Sequence, residues 1–126
     1  MPALVRASKL QGRAARVGFD WPDVGGVEAK VAEELAELRH EIDSQSGSKA
    51  VGEEAGDLLF AVVNLVRHAG IDPEQALRRG NRKFERRFRR LESLCEADGV
   101  EMSTAGIDRL EHYWQLVKQQ EGSGKD

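Results

Sequence analysis

The sequence predicts an all-α fold, and three observations carry that reading. Apolar residues recur at three- and four-residue intervals along most of the chain. No stretch alternates with period two for long enough to make a sheet. Charged residues make up 33% of the composition and aromatics only 6%, the balance expected of amphipathic helices with salt-bridged outer faces. At 126 residues the chain fits one domain, a size that buries roughly two thirds of the surface its unfolded form exposes. We read residues 1–121 as that domain and 122–126 as a loose tail.

Five helical segments are expected. The first, Ala3 to Val17, is weakly amphipathic and ends at Gly18, where a left-handed cap is easily made. A short connector, Phe19-Asp20-Trp21-Pro22, leads to a second helix starting near Gly25-Gly26. Val27, Val31, Leu35, Leu38 and Ile42 give that helix a core-facing stripe. The small polar run Ser44 to Ser48 makes a turn. The third helix, Lys49 to Ala69, is apolar nearly all round through Leu58, Leu59, Val62, Val63, Leu65 and Val66, so it is expected to lie deep. Gly70 stops it; Asp72 then caps and Pro73 opens a fourth helix running to Ala97, with Leu77, Phe84, Phe88, Leu91 and Cys95 as its core stripe. Gly80 is a weak point within it. The last helix, Ile107 to Gln120, offers Ile107, Leu110, Trp114 and Val117 on one face.

Composition also narrows the function. A net charge of −3 gives no general attraction to nucleic acid or anionic lipid, so no stable nucleic-acid partner is expected. The lone Cys95 excludes an internal disulfide and a thiolate zinc cluster, and it fits a reducing, cytoplasmic setting. Met1 to Leu10 has no apolar core of signal-peptide length, and no stretch reaches the roughly 20 apolar residues of a membrane span.

The third helix nevertheless carries Glu54, Asp57, Asn64 and His68 in one line down an apolar rod. Burying a carboxylate is costly unless it is paired, protonated or given a metal. The second helix carries Lys30, Glu34, Glu37 and Glu41 as a polar stripe beside its apolar one. If the two helices pack antiparallel, Glu34 and Glu37 approach Glu54 and Asp57, and four negative charges then need cations between them. Oxygen-only ligands favour a hard ion such as magnesium, with manganese as a substitute. With 22 acidic residues, the competing reading is that these pairs are ordinary solvated helix faces.

Eight basic residues lie between Arg78 and Arg90. Lys83 and Arg87 border Phe84 and Phe88, so their stems can pack inward while their charged ends reach a phosphate; the alternative is an exposed face or an RNA-contacting patch. Trp114 and Lys118, four apart, can meet one ligand, with Trp114 either stacking on a base or serving as core. Phe19 and Trp21 either close the core or line a pocket.

Taken in order, these stretches resemble the MazG family of nucleoside triphosphate pyrophosphohydrolases. Gly18-Phe19-Asp20-Trp21-Pro22 looks like the lead-in to the family's catalytic domain, and Lys30 to Glu37 resembles its Glu-Glu-x-x-Glu helix. Glu53 to Phe60 resembles its Glu-x-x-Asp helix, and Asn81 to Phe88 its third block. The resemblance implies a four-helix-bundle-like fold with an additional C-terminal helix. It also implies magnesium held by Glu34, Glu37, Glu54 and Asp57, and a triphosphate and base site lined by Lys30, Lys83, Arg87 and Trp114, with Lys118 beside them. The implied reaction is attack by water that breaks the bond between the α and β phosphates, with one carboxylate, Glu37 a candidate, accepting the water's proton.

Longer members carry two such domains, and this chain resembles the second, with Pro2-Ala3-Leu4 matching the start of that half. Lys49 is offset from the family's lysine before Glu53-Glu54. A homodimer or higher homo-oligomer is expected, both from the family and from the apolar circumference of the third helix. Two alternatives stand beside this reading. One is a relative acting on dUTP or a phosphoribosyl nucleotide; the other is a non-catalytic helical interaction module.

Overall fold

A computed structural model describes residues 1–123. Among them lie six helices and no strand: α1 (Ala3–Arg16), α2 (Val24–Asp43), α3 (Ser48–His68), α4 (Pro73–Ala97), α5 (Met102–Ala105) and α6 (Ile107–Ser123). The all-α expectation holds, and the long helices begin and end within a few residues of their predicted bounds. The chain gathers into two compact units, Met1–Leu77 and Arg78–Asp126.

In the first unit α2 packs along α3, and α1 packs on α3. Gly18, at φ 89°, closes α1 with the positive φ expected of it. The connector then crosses to Asp23, whose carboxylate accepts from the Gly26 N–H at 3.1 Å and caps α2 two residues earlier than the glycine pair suggested. Gly26 is needed for a different reason. A Cβ there would sit 3.1 Å from the Trp21 ring, so the absence of a side chain lets the connector lie close on the helix.

The connector is also tied to the far end of α3. Asp20 accepts from Arg67 at 3.0 Å and pairs with the His68 ring at 2.8 Å. The His68 hydrogen bond, then that of Arg67, holds the Asp20 carboxyl down at about 2. A depressed carboxylate contributes stability above its unfolded value and loses it as pH falls toward the folded one. Asp20→Asn is therefore expected to melt at a lower temperature than the wild type at neutral pH. That gap should close between about pH 4 and 2, as measured by thermal melts across the acid range.

Burial along α2 and α3 is narrower than the apolar stripes imply. Val27 is fully buried, and Ala61 and Val63 are buried, but Leu35 and Ile42 on α2 and Leu59, Phe60 and Val62 on α3 are exposed. α3 is thus not buried all round. Within its unit it packs against α1 and α2, and Leu59, Phe60 and Val62 remain exposed.

The second unit has its own core, in which Leu91 and Cys95 of α4 meet Val100, Tyr113 and Val117. α5 packs on α6 and adds Met102 and Ala105. Fully burying a valine such as Val117 contributes about 1.5–3 kcal/mol. Tyr113 donates to Asp98 at 2.6 Å, pinning the turn after α4. The helix passes through Gly80 unbroken.

Leu77, Phe84 and Phe88 are exposed, so only the Leu91-Cys95 end of the predicted α4 stripe is core. α5 was not expected. Four residues are too few to show a periodic pattern, so the additional C-terminal helix is preceded by a further short one. α6 continues to Ser123, and residues 124–126 of the expected tail lie outside the described residues.

Candidate metal centre

The packing of α2 along α3, joined through the short Ser44 to Gly47 turn, brings acidic side chains from the two helices together. One carboxylate oxygen each from Glu34, Glu54 and Asp57 lie within 4.8 Å of one another. Glu34 is only 6% exposed, and one of its oxygens is 3.0 Å from Lys30 Nζ. Its Oε2, and Oε2 of Glu54, are buried without a hydrogen-bond partner among the described residues. Lys30 also reaches Glu33 at 3.5 Å, and the Glu34 contact is the main reason its ammonium is held more basic than usual.

Glu37 joins the group through Glu54. Burial first, then the Glu37 charge and a hydrogen bond shared with it, and after these Asp57 and Glu34, push the Glu54 carboxyl up to about 6. The cluster is therefore under electrostatic strain, and a proton on Glu54 partly relieves it. In the metal-free protein, a raised folded-state value contributes stability below the unfolded value and loses it as pH rises through the folded one. The melting temperature in chelator is expected to fall from about pH 4.5 to above 6, with magnesium restoring it. Glu54→Gln should flatten that slope; an unchanged slope would remove Glu54 as its source.

Two cavities flank the carboxylates. Glu34, Asp57 and Lys30 open onto one of about 660 Å³, whose far wall includes Gln11, Asn64 and Arg67 and whose rim carries Phe19 and Trp21. Glu37 and Glu54 open onto a smaller one of about 360 Å³ with His40 and Glu41. A shared focus of carboxylates, two buried oxygens that no described residue satisfies and an all-oxygen donor set fit a hard divalent cation.

The structure thus brings together Glu34, Glu54 and Asp57, with Lys30 against Glu34 and Glu37 against Glu54. The other expected site residues belong to the second unit. Lys83 and Lys118 are exposed there. Arg87 is bound to Glu121 at 2.9 Å and Arg86 to the same carboxylate at 3.4 Å, which holds Glu121 below its ordinary value. Trp114 is half-buried with its ring 5.6 Å from that of Phe84, which is itself stacked on Phe88.

Sequence reasoning gave no role to Gln11, Asp20 or Arg67. Arg67 was detectable, being one turn beyond Asn64 and bonded to its Oδ1 at 2.7 Å. Gln11 gave no signal, since an uncharged amide on a weakly amphipathic helix does not stand out.

A family model, the MazG nucleotide pyrophosphohydrolase domain, matches residues 26–91, which hold all four carboxylates together with Lys30, Lys83 and Arg87. The chain is 49% identical over 122 residues to the nucleoside triphosphate pyrophosphohydrolase of Escherichia coli (strain K12), covering 96% of this chain and 46% of that protein. It is 45% identical over 118 residues to the nucleoside triphosphate pyrophosphohydrolase/pyrophosphatase MazG of Thermotoga maritima, covering 94% and 45% respectively. A 68-residue stretch is 40% identical to the uncharacterized protein YabN of Bacillus subtilis. The chain spans about half the length of the first two of these relatives. Since the matched domain takes in more than half of its residues, the chain belongs to the MazG nucleotide pyrophosphohydrolase family.

Proposed function

We propose that this chain hydrolyses nucleoside triphosphates to a nucleoside monophosphate and pyrophosphate, breaking the bond between the α and β phosphates. The observation that carries the proposal is the clustering of Glu34, Glu54 and Asp57 inside the family segment, with a buried oxygen on each of Glu34 and Glu54 that has no hydrogen-bond partner among the described residues. Glu34, Glu37, Glu54 and Asp57 would hold magnesium, or manganese in its place. When bound, the metal neutralises phosphate charge and lowers the pKa of water.

The chain's own residues supply the rest. Lys30 balances Glu34 and stands at the same cavity, where its ammonium can turn to a phosphate oxygen. Lys83, Arg87 and Lys118 bind the phosphate chain, Arg87 by giving up Glu121, and Trp114 stacks on the base. A carboxylate oxygen of the cluster, with Glu37 as the candidate, takes the proton from the attacking water.

The proposal extends to the assembly. A four-helix-bundle-like arrangement and a homodimer or larger homo-oligomer fit the exposed Leu35, Ile42, Leu59 and Val62. A cytoplasmic setting fits a single, unpaired Cys95. No helix of the described residues is long and apolar enough to cross a membrane.

The test is to incubate the protein with each common NTP and dNTP, with magnesium or with chelator, and to resolve the products. Monophosphate and pyrophosphate in equal amounts, only with the metal, are expected. A diphosphate with inorganic phosphate would place the cut at the wrong bond and reject the proposal.

A further inference from the structure

The larger cavity extends well past the carboxylates. From Asp57 it follows α3 to Asn64, roughly 10 Å along the helix, and on to Arg67, roughly 15 Å along it. What lines that far end is polar but not free to rearrange. Gln11 is 94% buried, being only 6% exposed, and its Nε2 donates to the Phe60 carbonyl at 2.9 Å. That bond fixes which end of the amide is which, and it leaves Oε1 as a buried acceptor with no partner among the described residues.

Across the wall, Arg67 uses one terminal nitrogen for Asp20 and Asn64, while its Nε is a buried donor with no partner among the described residues. Asn64 accepts from Arg67 through Oδ1, so its remaining group is the Nδ2 donor. Arg67 is not a bare cation, because its charge is answered by Asp20. A site of this kind suits a neutral ligand edge better than a second phosphate. Phe60 and Trp21 supply aromatic faces along the same cavity.

On these grounds, and resting on the activity proposed above, we infer that the Gln11, Asn64 and Arg67 end of the cavity is a base-reading subsite that hydrogen-bonds the edge of the substrate's nucleobase. Oε1 of Gln11 accepts from an N–H of the base; Nε of Arg67 and Nδ2 of Asn64 donate to a ring nitrogen or carbonyl beside it. The role differs from the stacking assigned to Trp114. Stacking tolerates any base, whereas orphaned donors and acceptors fixed in place reject a ligand that leaves them unpaired.

Equilibrium binding with three probes tests the inference: the four nucleoside monophosphates, ribose 5-phosphate, which lacks the base, and inorganic pyrophosphate, each in the presence of magnesium. Wild type is expected to bind at least one monophosphate more tightly than ribose 5-phosphate. Gln11→Leu and, independently, Asn64→Leu should weaken monophosphate binding about tenfold, to the level of ribose 5-phosphate, while pyrophosphate binding is unchanged. Two variants on different helices, each checked by circular dichroism and melting temperature, separate a lost contact from a lost fold.

Equal weakening of all three probes, or weakening of pyrophosphate alone, would overturn the inference and place the phosphate chain in this cavity. Base-dependent binding by a wild type that hydrolyses nothing would support the subsite while rejecting the activity. Pyrophosphate release with monophosphate binding untouched by either variant would do the reverse.

Discussion

Asp57→Asn and Glu54→Gln are each expected to lower kcat/KM for every nucleoside triphosphate by more than the roughly 10–100-fold that changes outside a metal's ligand set cost. Both residues sit in the carboxylate cluster, and Glu54 carries a buried oxygen with no partner among the described residues. Removing a charge from that cluster also removes repulsion, which already pushes the Glu54 carboxyl up to about 6. The metal-free variants should therefore melt at or above the wild-type temperature near neutral pH. Loss of activity with undiminished stability is what a strained functional site produces, and a helical interaction module predicts no such combination. Steady-state kinetics and melts in chelator read the two quantities separately. A variant that kept wild-type activity would take its residue out of the site.

In the homo-oligomer proposed above, Leu59→Glu is expected to leave monomers. Leu59 is 63% exposed on α3, with Leu35 and Ile42 exposed on the neighbouring α2. A charge placed in a covered apolar interface remains unpaired and desolvated, a cost large enough to dissociate a modest contact. Because Leu59 is exposed in the single chain, the substitution leaves the chain's own core intact, and helicity should persist. Sedimentation velocity or light scattering across a concentration range distinguishes the outcomes. An unchanged mass would move the interface elsewhere or show the wild type to be monomeric.

These predictions draw on parts of the molecule that were unequally legible in the sequence. Helix positions were readable because Gly18, Gly70 and Asp72-Pro73 are local signals with local causes, and the structure ends and restarts helices there. α5 was not, since Met102–Ala105 is held by contact with α6 and not by its own periodicity. The carboxylates were readable because charged groups on an apolar helix demand compensation, and Glu34, Glu54 and Asp57 do meet.

Burial depth was less legible. Leu35, Ile42, Leu59 and Val62 have the right spacing for a core, but spacing records that a face is apolar without saying what covers it. The tie from Asp20 to Arg67 and His68 joins residues 47 and 48 positions apart, which no local pattern encodes. Gln11 is hidden for the same reason: its importance comes from a carbonyl on α3, 49 residues away.

The measurement that bears most directly on the central claim is calorimetric titration of the nucleotide-free protein with magnesium or manganese, repeated on Glu34→Gln. Glu34 is the most buried of the four carboxylates and has one oxygen satisfied by Lys30 and one by none of the described residues. Saturable binding by the wild type, lost in a folded Glu34→Gln, is the predicted result. A wild type that binds neither ion, alone or with pyrophosphate present, would contradict the account.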